Sequence, residues 1–167
     1  REAARAREAA FGHVREPMIR FVSVLRAFNG RAASGRFRVW SLQNDTAQAP
    51  FRSPSVFNYF SPDYGQPGAV AEAGLVSPEL QIVSETAAIR TANLFRTLVY
   101  RGYGSAEHQI VLDFAAEQAL AGDPAALVDH LNVKLFGGSL SREVRGIVID
   151  AVTGVPAARP LDRVRMA

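Results

Sequence analysis

The sequence contains no cysteine among its 167 residues. Disulfide bonds, thiolate catalysis and cysteine metal sites are therefore excluded. Lysine is almost missing too, because Lys134 is the only lysine among 19 basic residues. No apolar run approaches the ~20 residues that a bilayer-spanning helix needs, so we expect no membrane span.

The motifs of common catalytic and cofactor sites are also missing. No Gly-x-Ser-x-Gly elbow occurs, and Gly102-Tyr103-Gly104 follows a predicted helix, whereas a dinucleotide loop follows a strand. His13, His108 and His130 are far apart and have no metal-ligand spacing. We therefore predict no cofactor and no metal, and the sequence leaves open whether the protein is an enzyme.

Charge is distributed unevenly along the chain. Residues 1–52 carry ten arginines against four acids, whereas residues 53–167 carry nine basic residues against twelve acids. Segment 31–40 interleaves arginine with Phe37 and Trp40, which suits either a nucleic-acid platform or a loop with buried aromatics and solvated arginines. Because acids prevail later in the chain, we favour the second reading and do not expect a nucleic-acid partner.

Composition predicts an ordinary globular protein, with 48% apolar and 21% charged residues. We predict a single all-α segment arranged around one long central helix at about 77–101. Ser77 would cap that helix, Pro78 would occupy its first turn, and Gly102 would end it. Its polar stripe is narrow, which is typical of a central helix.

A long ordered loop, rich in aromatic residues and proline, is predicted at about 30–76, because helical periodicity is lost there. We expect its aromatic side chains to pack on the core. Shorter helices are predicted at 1–10 and after Pro17, Asp113, Asp123 and Ser141. Little or no strand is expected, with 110–112 the one plausible strand.

Gln81 and Glu85 are the most informative polar pair. They are four residues apart and lie on the apolar side of the predicted long helix. Two buried polar side chains need partners, so the pair would either hold amides of the preceding loop or provide a buried carboxylate with a raised pKa. Asp113 and Glu117 are also four apart, and helix capping and solvation explain them more simply.

Four segments together resemble the C-terminal part of a bacterial family catalogued as domain of unknown function 1800. The most specific is Ser53-Pro54-Ser55-Val56-Phe57-Asn58, and the others lie at 15–28, 74–82 and 123–129. The resemblance covers about 15–165. It implies an exported (periplasmic or extracellular) protein several times longer than a small domain, so we expect this chain to be a C-terminal fragment. It implies no catalytic residue.

Three hypotheses follow. The first is a structural or interaction region of an exported bacterial protein, whose partners would be the missing remainder of its own chain or another protein. The second is an enzyme fragment whose site is completed by a missing N-terminal part, with Glu85 as a buried carboxylate and with Gln81 and Asn58 contributing. The third is nucleic-acid binding through the arginine-rich first third.

Overall fold

A computed structural model describes residues 14–39 and 41–167. The helix predicted at 1–10, His13 and Trp40 lie outside the described residues. The described part is all-α, as predicted, and its strands are two short segments. The described α-helices are α1 (Pro17–Ala27), α2 (Leu42–Thr46), α3 (Ala69–Glu72), α4 (Glu85–Arg101), α5 (Ala115–Leu120), α6 (Pro124–Phe136), α7 (Arg142–Thr153) and α8 (Pro160–Met166).

Two 3-10 helices, Pro78–Ile82 and Ala106–His108, and two strands complete the described elements. Strand β1 (Arg31–Ala32) pairs antiparallel with β2 (Ile110–Val111), in the register Arg31 with Val111. The described residues divide into two compact units, 14–21 with 39 and 41–94 (unit 1) and 22–38 with 95–167 (unit 2). Helices α1 and α4 each contribute their first residues to unit 1 and their last to unit 2.

Unit 2 is built on α5–α8. Helix α5 packs on α6 and α8, and α7 packs on both α6 and α8. Eight buried side chains from these helices and from the segments before them form its core: Phe28, Phe114, Ala121, Leu127, Val128, Leu131, Val152 and Val164. The rings of Phe28 and Phe114 meet edge to face, with their centroids 5.1 Å apart.

Local signals explain where α6 and α7 begin and end. The Asp123 carboxylate accepts hydrogen bonds from the backbone N–H groups of Ala125 and Ala126, and Ser141 Oγ accepts one from Val144. Both side chains thereby satisfy amides that a helix start leaves unpaired. Gly137 ends α6 in the left-handed region at φ 61°. These caps and this stop confirm the sequence prediction.

Unit 1 is held by polar contacts as well as by apolar burial. Gln48 is buried, donates from Nε2 to Glu16 Oε2 at 2.7 Å, and accepts from the Met18 N–H at 3.2 Å. Thr91 Oγ1 donates to the Asp45 carbonyl at 2.7 Å, which fastens the first half of α4 to α2.

The helix predicted at 77–101 is broken. Residues Pro78–Ile82 form a 3-10 helix, and α4 starts only at Glu85. Ser77 does not cap it, because its Oγ accepts from the Gln66 N–H at 3.1 Å. Ser84 is the cap instead: its Oγ accepts from the Ala87 N–H at 3.2 Å.

Helix α4 is buried on one face, whereas its narrow polar stripe suggested burial on several. Its buried residues form a single stripe at intervals of three and four, whereas Ile89 and its alanines 88 and 92 are exposed. A single buried stripe is the pattern of a surface helix. The buried residues are Ala87, Thr91, Leu94 and Leu98.

The loop predicted at 30–76 is ordered, but it contains β1, α2 and α3. The expectation that its aromatic side chains pack on the core fails at several positions, because Phe37, Phe51 and Phe57 are exposed. The composition of a loop shows that it contains apolar side chains, but it does not show whether those side chains are buried against the rest of the chain.

Candidate functional site

Gln81 fastens a loop. Its Oε1 accepts a hydrogen bond from the backbone N–H of Ser61 at 2.7 Å. The residue lies in the 3-10 helix Pro78–Ile82 and is itself exposed. This contact agrees with the structural interpretation of the residue, in which it holds an amide of the preceding loop.

Glu85 is not the buried carboxylate that the sequence suggested. It is the first residue of α4 and is exposed to solvent. Gln81 and Glu85 would share one face only on a continuous helix. The helix is broken at Val83 and Ser84, so the two residues share no helix face. A carboxylate in the first turn of a helix is favoured by the helix dipole.

Asn58 lies in an exposed turn, with φ 75°. Its backbone N–H donates to the Ser55 carbonyl at 3.3 Å. Among the described residues no hydrogen bond joins Asn58, Gln81 and Glu85.

Asp45 of α2 is a partly buried carboxylate in unit 1. Burial raises the pKa of Asp45, and the nearby positive charge of Arg90 opposes that shift. Arg90 donates from Nη1 to the Asn44 carbonyl at 3.1 Å. Asp45 therefore has a raised pKa of the kind that one of the two interpretations of the sequence proposed for Glu85.

The most enclosed carboxylate of the described chain belongs to Glu117 in α5, which is only 1% exposed. One of its oxygens, Oε1, lies 3.0 Å from His130 Nε2 and 2.5 Å from Lys134 Nζ, both on α6. The ammonium of Lys134 also lies over the ring of Phe28, 4.6 Å from its centroid. We call Glu117, His130 and Lys134 the Glu117 cluster.

Two opposing effects act on the pKa of Glu117. Burial raises it, because the charged form loses water. The hydrogen bonds from Lys134 and His130 favour the charged form and outweigh burial, so the pKa of Glu117 lies below its ordinary value. The carboxylate is thus held charged inside unit 2.

Sequence reasoning missed this cluster. The expectation that Glu117 is solvated is wrong. Asp113 accepts a hydrogen bond from the Ala115 N–H at 3.0 Å, but the residue at the N-cap position of α5 is Phe114. A signal was present, because His130 and Lys134 are four apart and share one helix face. Nothing in the sequence showed that the face meets α5.

The chemistry of the Glu117 cluster points to structure. Both partners, His130 Nε2 and Lys134 Nζ, contact the same oxygen, Oε1, so that oxygen is already engaged within the protein. Within residues 14–39 and 41–167, no three or more His, Asp or Glu side chains are grouped as a metal site requires.

Loop 49–59 is the most unusual surface feature of unit 1. The Tyr59 hydroxyl closes its base, because it accepts from the Ala49 N–H at 3.0 Å and donates to the Ala49 carbonyl. Within the loop, Ser53 Oγ donates to the Ser55 carbonyl at 3.0 Å, and Ser55 Oγ accepts from the Phe57 N–H at 3.1 Å.

This closed loop presents large apolar side chains to water. Phe51 is 107% exposed, Val56 94% and Phe57 82%. Phe51 also adopts the left-handed region, at φ 58°, which is uncommon for a bulky residue. The side chains that would ordinarily be buried are therefore held outward by a fixed backbone.

The fold and its sites define an all-α protein in which the described residues form no recognised catalytic constellation. The chain belongs to the family of proteins of unknown function DUF1800, whose model matches residues 1–164. The suspected family is thereby confirmed. The loop that carries Ser53-Pro54-Ser55-Val56-Phe57-Asn58, the most specific part of the resemblance, is the exposed loop 49–59.

No curated protein and no solved structure matches the chain significantly. Among the residues that the structure describes, no helix has both the length and the apolar character needed to cross a membrane.

Proposed function

We propose that this chain is an interaction region of a longer, exported bacterial protein, and that loop 49–59 contacts the remainder of that polypeptide. The observation that carries the proposal is the exposure of Phe51, Val56 and Phe57 on a loop closed by the Tyr59–Ala49 hydrogen bonds.

The energetics of the loop support a binding role. Burying a side chain such as Phe or Val is worth about 1.5–3 kcal/mol relative to leaving it exposed, and this fold gains nothing from these three. The left-handed backbone at Phe51 adds a cost of about 1–2 kcal/mol. A partner surface that covers the loop would gain the burial free energy of these three side chains.

Preorganisation favours a protein surface as the occupant. Ser53 and Ser55 fix the backbone through bonds within the loop, so little conformational freedom would be lost on binding. Aromatic anchors held in a defined geometry are typical of the central contacts of protein interfaces. A covalently linked partner would also be present at high effective concentration.

Amide hydrogen exchange tests this proposal. The N–H groups of residues 51–58 should exchange at least tenfold more slowly in the complete gene product than in the isolated 167-residue chain. In the complete protein, Phe57→Ser should abolish this extra protection. Val76→Ser is the matched control, because Val76 is an exposed apolar residue of unit 1 outside the loop.

Equal exchange of the loop in both forms would contradict the proposal. So would a gene product no longer than the chain itself. Protection that survives Phe57→Ser would assign the contact to a different surface.

A further inference from the structure

A pocket of about 370 Å³ opens to solvent in unit 2. It lies between the end of α4, the segment 111–115 and the last helix, α8. Ligand sites occupy about 300–1,000 Å³, so this pocket suits a small molecule. Its lining is mixed, and the apolar part is formed by Leu98, Val99, Val111, Leu112, Phe114 and Leu161.

Arg165 places a charged donor on this pocket. Its guanidinium lies 5.3 Å from the centroid of the Tyr100 ring, and Nη2 donates to the Tyr100 carbonyl at 3.1 Å. Not every N–H group of the Arg165 guanidinium has a close acceptor among the described residues. Nη1 is 3.7 Å from Asp162 Oδ1, a long separation for an ion pair, and Nε is enclosed without an acceptor among the described residues.

The other polar groups on the pocket narrow the class of ligand. Arg101 and Gln118 add donors, whereas Asp113 adds one carboxylate. With two arginines and one aspartate, the lining of the pocket carries a net charge of +1. That balance favours a monoanion over a phosphate ester or nucleotide, whose multiple charges would meet Asp113.

We propose that this pocket binds a small monocarboxylic acid with an apolar body. The carboxylate accepts hydrogen bonds from Arg165, in the geometry that guanidinium and carboxylate groups share. The apolar body lies against Val99, Val111 and Leu161, which line the pocket and are at least partly exposed. This site is independent of loop 49–59 and of the Glu117 cluster.

An NMR titration of the 167-residue chain with hexanoate tests the proposal. The backbone amides of 98–102 and 111–115 should shift in a saturable way. Hexanamide, which has the same shape without the charge, should bind at least tenfold more weakly. Inorganic phosphate should not displace hexanoate.

Three variants locate the site. Arg165→Met should weaken hexanoate binding at least tenfold, whereas Arg96→Gln should leave it unchanged. Arg96 is the matched control, because its guanidinium lies 5.5 Å from the centroid of the same Tyr100 ring without lining the pocket. Ala115→Trp fills the pocket from an exposed position and should abolish binding.

Equal binding of hexanoate and hexanamide would overturn the proposal, as would displacement by phosphate at equal concentration. Unchanged binding in Ala115→Trp would also overturn it. If Arg165→Met fails to fold, Ala115→Trp and the comparison of hexanoate with hexanamide still test whether the pocket binds a carboxylate.

Discussion

Glu117 illustrates, at the scale of a single residue, how a buried charge becomes tolerable. A carboxylate that is 1% exposed has lost its water, and the loss is offset only if charged partners replace that water. Lys134 supplies a charged partner and His130 a second hydrogen bond, and both remain partly exposed, with 25% and 37% of their side chains accessible. Their own desolvation is therefore incomplete, and the pair is less costly than a fully buried one.

Glu117→Gln should destabilise the chain by about 2–3 kcal/mol. Breaking a fully buried ion pair costs about 3–5 kcal/mol, and the partial exposure of Lys134 and His130 places the effect at or below the lower end of that range. Urea unfolding would measure it. The control is Glu143→Gln, at an exposed glutamate of α7, which should change the free energy of unfolding by less than about 0.5 kcal/mol. A similar loss in both variants would contradict the role assigned to Glu117.

The same residue predicts a pH dependence. A carboxyl whose pKa is lower in the folded than in the unfolded state contributes stability that is present above the unfolded pKa. The contribution is lost as the pH falls through the folded pKa. The difference in unfolding free energy between the wild type and Glu117→Gln should therefore be constant well above the ordinary pKa of 4.5 and should shrink below it. A difference independent of pH down to the acid transition would contradict the prediction.

At the scale of elements, the helix boundaries that depend only on neighbouring residues were predicted correctly from the sequence. Helices α6 and α7 begin directly after Asp123 and Ser141, as these capping residues indicated, because a capping side chain binds backbone amides only two or three residues away. The stop at Gly137 is equally local. Such features need no knowledge of the rest of the fold.

Signals that depend on tertiary contacts misled the sequence reading. Ser77, Pro78 and Glu79 have the composition of a helix start, but the Ser77 hydroxyl is used by Gln66, and Ser84 caps α4 in its place. The pairing of α5 with α6, which creates the Glu117 cluster, likewise joins residues that no sequence period connects. Gln81 does hold a loop amide, as one of the two interpretations of the sequence proposed, but it does so from an exposed 3-10 helix and not from the apolar face of a long helix.

Asp123→Ala tests the cap of α6. It removes the acceptor of two backbone N–H bonds, at 2.9 Å and 3.1 Å, and should lower stability by about 1 kcal/mol. Asp123→Asn keeps an acceptor in the same place and should stay within about 0.5 kcal/mol of the wild type. The measurement is the urea midpoint of each variant at constant slope. If alanine and asparagine were equally destabilising, the lost charge and not the cap would be responsible.

At the scale of the whole molecule, the distribution of apolar side chains departs from what composition suggests. The chain is 48% apolar, yet several of its largest apolar residues face water. Loop 49–59 concentrates three of them. An exposed apolar surface of this kind is either an interaction site or a cause of self-association. When the partner is missing, we expect the isolated chain to self-associate through this loop.

The double variant Phe51→Ser/Phe57→Ser should therefore separate association from stability. Because both side chains are almost fully exposed, their loss should change the free energy of unfolding by less than about 1 kcal/mol. Leu127→Ala, at a core residue that is 0% exposed, should cost about 2–5 kcal/mol. Sedimentation velocity over a range of concentrations should show less association for the double variant than for the wild type. Ile89→Ser removes another exposed apolar side chain outside the loop and should leave association unchanged. If Ile89→Ser reduced association as strongly as the double variant, the effect would belong to general surface hydrophobicity and not to loop 49–59.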